Sequence, residues 1–148
     1  MSKKGSSNNK SFVTQMNEKE KIIFLKILVA LARSDGNFDD EEKTFIKDAA
    51  IAFGLNKNHV DEILTPLSDK EIVERAAEIT NRQVALHLLK EACLLANSDG
   101  DLSDREIILI GQIGQAMNIE LEKIEEISQW VVDRIIWLER GKIIFEQI

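Results

Sequence analysis

The 148-residue chain has no tyrosine, one proline, one cysteine and two histidines. Without tyrosine and without any sustained period-two alternation, it lacks the signals of strands and hairpins. Its one cysteine, Cys93, cannot close an internal disulfide and lies in an apolar helical run. That predicts a thiol serving as core filler in a reducing compartment, the cytoplasm. His59 and His87 do not stand in the Glu-x-x-His spacing of carboxylate-bridged diiron bundles. Nucleophile elbow, phosphate loop and paired Cys and His arrangements are all missing too, so the chain reads as a non-enzyme with two ordinary surface or core-edge histidines.

Positive charge is also in deficit: 19 Lys and Arg stand against 26 Asp and Glu, a net charge of −7. Three of the lysines fall in residues 1–16, which hold no acid, so the rest is more acidic still. Such a surface repels nucleic acid and anionic lipid and favours cations or basic partners. Long apolar runs are absent as well. Ile22 to Ala32 is broken by Lys26, and Val84 to Ala96 by His87, Lys90 and Glu91. A bilayer span takes about 18 or more apolar residues, so direct membrane insertion is not expected. Met1 to Lys10 is polar and has no apolar core of a secretory signal.

What the chain does have is a repeat. Ser34-Asp35-Gly36-Asn37-Phe38-Asp39-Asp40-Glu41-Glu42 returns 64 positions later as Ser98-Asp99-Gly100-Asp101-Leu102-Ser103-Asp104-Arg105-Glu106. Ala32 recurs as Ala96, Ile46 as Ile110 and Leu55 as the like-sized Ile119. A fixed-period similarity of this kind predicts a two-fold internal duplication of a helix-turn-helix unit, with any chemistry at the turns.

Residues 1–16 are rich in Ser, Asn and Lys and predict a disordered tail, leaving 17–148 as a single all-α domain of about seven helices. The first helix, from about Glu18 to Ser34 or Asp35, and the fifth, about Arg82 to Asn97, are apolar almost all round and should be central, with Leu28 and Leu89 inside. A second helix runs to about Phe53 with Phe45, Ile46, Ala49, Ala50 and Phe53 inward. Asn56 caps a short third helix that Pro66 ends, and Ser68 to Glu71 is a capping box opening a fourth to about Ile79. Ser103 to Glu106 is another such box, opening a sixth helix with Ile107, Ile110, Ile113, Gly114 and Met117 inward. A seventh begins near Glu120, with Ile124, Ile127, Val131, Ile135 and Leu138 at helical spacing. The conformation after Gly141 is ambiguous. Trp130 and Trp137 lie seven apart on one stripe, which reads as core or an interface; with Ile136 the stripe is instead a docking face if Trp137 proves exposed.

Two readings of the acidic turns stand side by side. Helix punctuation explains much: Gly36 and Gly100 close one helix, Asp39 or Ser103 caps the next, and Glu42 or Glu106 completes each box. It leaves Asp35 and Asp99 before each glycine, and the extra acids such as Asp101, without a role. Asp35, Asp39 and Glu42 in the first copy, with Asp99, Asp101 and Glu106 in the second, are therefore candidate ligands for a hard divalent cation, Ca²⁺ or Mg²⁺ ahead of Zn²⁺. An EF-hand is not expected: Phe38 and Glu42 match the back half of that loop, but Leu31 and Leu95 fall where it needs its first ligand.

A helical chain carrying Asp35-Gly36-Asn37-Phe38 with Glu42, and Asp99-Gly100-Asp101-Leu102 with Glu106, each after an alanine, Ala32 or Ala96, resembles the TerB-like tellurite-resistance family. The resemblance covers roughly residues 18 to 140. It implies a compact all-helical domain, a metal-binding acidic surface and a role in bacterial stress response within complexes that include membrane proteins. The expectation is thus a non-enzymatic module that binds a divalent cation at two acidic turns and docks to a protein partner, the alternative being a metal-free structural or protein-interaction domain.

Overall fold

Two helices that are apolar on nearly every face must find cover on nearly every face, and the remaining helices supply it. In this computed structural model the described residues are 15–33, 40–97 and 103–147, the side chains of Glu41 and Glu42 excepted. They form α1 (Glu18–Arg33), α2 (Asp40–Ala52), α3 (Lys57–Ile63), α4 (Asp69–Ala76), α5 (Arg82–Ala96), α6 (Asp104–Ala116) and α7 (Leu121–Ile144). No strand occurs among the described residues. The expected all-α class holds, with seven helices among the described residues.

α1 and α5 pack on each other at the centre. α1 buries Ile22, Ile23, Phe24, Leu25, Ile27, Val29, Ala30 and Leu31, and α5 buries Val84, Ala85, Leu88, Leu89, Ala92, Cys93 and Ala96. Around them, α3 and α4 cover α1, α6 and α7 cover α5, and α2 rests on α1 and α3. The Phe24 and Phe53 rings meet at 5.9 Å between centroids, which fixes the end of α2 against α1.

Local chemistry sets the helix ends. Asn56 with His59, Ser68 with Glu71 and Ser103 with Glu106 form reciprocal capping boxes. Asn17 and Glu20 exchange the same pair of bonds ahead of α1, a box the sequence reading did not single out. At the other end, α2, α6 and α7 close with one motif. Gly54, Asn118 and Glu146 take positive φ of 80°, 63° and 56°. The next N–H in each case returns to a carbonyl in the last turn: Leu55 to Ala50, Ile119 to Gly114 and Gln147 to Lys142. Leu55 and Ile119 are buried as they fold back. These parallels do not by themselves establish a duplication, which stays a relationship of sequence.

Several expectations need correction. Phe45 is 70% exposed, because the strip by which α2 packs on α1 and α3, Ile46, Ala49, Ala50 and Phe53, is too narrow to include it. Ile107 is exposed and Leu109 takes the inward place, since the buried stripe of α6 runs through Glu106, Leu109, Ile110 and Ile113. Leu28 is only partly buried. α4 stops at Ala76, although Ile79 is still buried beyond it. Met16, assigned to the tail, is buried in the core; residues 1–14 lie outside the described residues. The ambiguous segment continues α7 to Ile144.

Candidate functional site

Of the six candidate cation ligands, Asp35, Asp39, Asp99 and Asp101 lie outside the described residues. Glu42 belongs to the first turn of α2, with its side chain outside them. Glu106 is described, and it is the one charged side chain in the buried class among those residues. Its Oε1 accepts from the Ser103 N–H at 3.0 Å and from the Ser103 hydroxyl at 3.0 Å, while the Glu106 N–H donates to Ser103 Oγ at 3.2 Å. That geometry is a helix cap. Among the described residues no group of three or more His, Cys, Asp or Glu side chains is placed to hold a metal ion.

The helix directions nevertheless define one end of the molecule. Lys19 Nζ meets Glu78 Oε1 at 2.9 Å, and Lys26 lies near enough to Glu71 to favour its charged form. α4 therefore runs antiparallel to α1. α5 begins at Arg82, shortly after Glu78, and packs along α1, so it returns in the same sense as α1. Arg82 Nη1 holds Glu120 Oε1 at 2.8 Å and Arg82 Nη2 holds Glu120 Oε2 at 3.2 Å, which starts α7 beside the start of α5. The ends of α1, α5 and α7 consequently point the same way, and the chain enters each of its two acidic turns from that end of the bundle.

α7 has 24 residues and α5 has 15. At about 1.5 Å per residue, α7 outruns its neighbour by roughly 13 Å. Ile124 and Val131, beside α5 and α6, are buried, and Ile127 and Ile135 are partly so. Past that point even the core-facing position Leu138 is 45% exposed. The overhang carries Ile136, Trp137, Ile143, Ile144 and Phe145, all exposed, with Trp137 at 73%. An open concavity of about 1010 Å³ is lined by the overhang, Asp133, Trp137, Arg140 and Ile144 included, and by the end of α5 at Leu94 and Asn97. The condition set by the sequence for a docking face, an exposed Trp137, is met. The signal that could have located the overhang is length, since α7 has no partner helix of its own span among the described residues.

The remaining titratable groups fit structural roles. Burial pushes the Cys93 thiol up to about 11, and the residue is buried, as core filler requires. His59 Nδ1 accepts from the Asn56 N–H at 3.2 Å in the cap of α3. His87 is held below the ordinary histidine value, first by burial and then by the Lys90 charge. The Ser68 N–H and hydroxyl hold the Glu71 carboxyl below its usual value, Lys19 does so for Glu78, and Arg82 for Glu120.

Among the described residues no helix is long and apolar enough to cross a membrane. Residues 6–65 match the family described as Tellurite resistance protein TerB. The match takes in α1, α2 and α3, and stops before the second acidic turn. No curated protein and no solved structure matches the chain.

Proposed function

We propose that this chain, TerB-like over residues 6–65, is a non-enzymatic module of a tellurite-resistance-type stress response inside the cell, docking to a protein partner through the overhanging end of α7. The observation that supports docking is the overhang itself. Trp137, Ile143, Ile144 and Phe145 are each at least 65% exposed on one helix end, and large exposed apolar side chains gathered in one place mark interaction sites. A net charge of −7 favours a protein over nucleic acid as the occupant. The family resemblance makes a complex containing membrane proteins its setting. Asp35, Asp39, Glu42, Asp99, Asp101 and Glu106 are the proposed ligands for a divalent cation, Ca²⁺ or Mg²⁺. The metal-free docking domain is the second reading, and the Ser103 cap that already engages Glu106 favours it.

Tellurite tolerance in a strain lacking the chain and complemented with variants tests the docking reading. Trp137→Ala combined with Ile144→Ala should fail to restore tolerance while leaving the melting temperature unchanged, because neither side chain packs in the core. Full tolerance from that variant would sink the reading.

A further inference from the structure

The outer face of α7 has a pattern of its own. Trp130, Asp133, Trp137, Arg140 and Ile144 recur at intervals of three and four, on the side opposite the buried Ile124 and Val131, and all five are exposed. The stripe is apolar at every seventh residue and carries one acid and one base between, so a helix laid along it would meet apolar and charged residues alternately. We propose that the occupant of this face is a second copy of the chain, its α7 laid antiparallel about a two-fold axis at Trp137.

The charges select this occupant. An axis at Trp137 sets Trp137 against its own copy and Trp130 against Ile144 of the second copy. It brings Asp133 within one helical residue of the level of Arg140 of the second copy. Asp133 and Arg140 lie on the same flank of the stripe, so the two-fold makes two opposite-charge pairs from one residue of each sign. A parallel pairing would instead set Asp133 beside Asp133 and Arg140 beside Arg140. Two chains of net charge −7 repel at long range, and an interface between them needs this local complementarity. Asp133 is already oriented on the stripe by Gln129, whose Nε2 donates to Asp133 Oδ1 at 2.8 Å.

This inference rests on the docking reading and names its partner. Sedimentation equilibrium of the full chain should give twice the 16.8 kDa chain mass. The chain's two tryptophans both lie on the stripe, so their emission should shift to the red as the dimer is diluted apart. Arg140→Glu places like charges across the seam twice and should raise the dissociation constant on the order of tenfold or more. Arg134→Glu makes the same change in net charge off the stripe and should leave it near the parent value. Asp133→Arg combined with Arg140→Glu restores both pairs and should recover the dimer. A parent at single-chain mass at every concentration, or an Arg140→Glu variant that associates like the parent, overturns the proposal. A monomeric parent whose Trp137→Ala, Ile144→Ala variant still loses tellurite tolerance removes the second copy and keeps docking to another protein. A dimer with tolerance intact in that variant keeps the pairing and removes the stress-response reading.

Discussion

A β-carbon added at Gly114 would stand 2.8 Å from Ile124 Cγ1. α5, α6 and α7 converge at this point, with Leu89 Cδ2 at 3.3 Å from the same position. Leu89 is fully buried and Ile124 is 5% exposed, so neither has room to retreat. Gly114→Ala should cost about 1 to 3 kcal/mol as an overpacked core. Gly111, one turn earlier on α6, has nothing within 4 Å of its β-carbon position. Gly111→Ala should stabilise by about 0.5 to 1 kcal/mol, the usual gain from removing a helix-interior glycine. Equal signs for the two in chemical denaturation would contradict the convergence at Gly114.

Cys93 should be inert in the native protein. It is 2% exposed, and burial holds its thiol at about 11, so little thiolate exists near neutral pH. A disulfide reagent should label it slowly in buffer and at once in denaturant. Labelling in buffer at the rate of a free thiol would show that α5 opens locally.

The sequence and the structure agree most closely where local chemistry decides. Asn56, Ser68 and Ser103 cap the helices they were expected to cap, because a capping side chain bonds only three residues along and needs no tertiary partner. Burial is legible where a helix is apolar all round, as with Ile27 and Leu89. It is less so on a one-sided helix, where periodicity gives a face but not its width: Phe45 and Ile107 sit at exposed edges of their helices. The α7 overhang depends on the relative lengths of helices far apart in sequence, set here by Arg82 and Glu120 across 38 residues, and local reading cannot supply that. The acidic turns, the most visible feature of the sequence, fall mainly outside the described residues, and Glu106 is the one candidate ligand whose side-chain bonds are described.

His87 gives a pH dependence with a definite sign. Its folded value is lowered from 6.5, by burial first and Lys90 second, with Glu91 opposing. A histidine depressed in the folded state is favoured neutral there, so its contribution is fully present above the unfolded value. It is lost as pH falls through the folded one. The stability difference between the parent and His87→Gln should therefore stay level above pH 6.5 and shrink on acidification below it. A ring-proton titration midpoint for His87 at or above 6.5 would remove the premise.

The cation reading and the capping reading separate cleanly in a set of substitutions, because Asn caps a helix about as well as Asp but lacks the charge a hard cation needs. Ser103→Ala removes the bonds that hold Glu106 and should cost about 1 kcal/mol as a lost cap. It should leave the response to cation in place, since Ser103 is not among the proposed ligands. Asp35→Asn, Asp39→Asn and Asp99→Asn should change stability without cation by tenths of a kcal/mol only. Under the cation reading, the parent gains about 2.7 kcal/mol when free cation reaches 100 times its dissociation constant, and each Asn variant loses most of that gain at the same concentration. Matched monovalent salt is the control, because a chain at −7 is stabilised by screening alone. Ca²⁺ or Mg²⁺ should act ahead of Zn²⁺, the proposed ligands all being oxygens. A parent melting curve indifferent to millimolar Ca²⁺, Mg²⁺ and Mn²⁺ would sink the cation site and leave the metal-free docking domain standing.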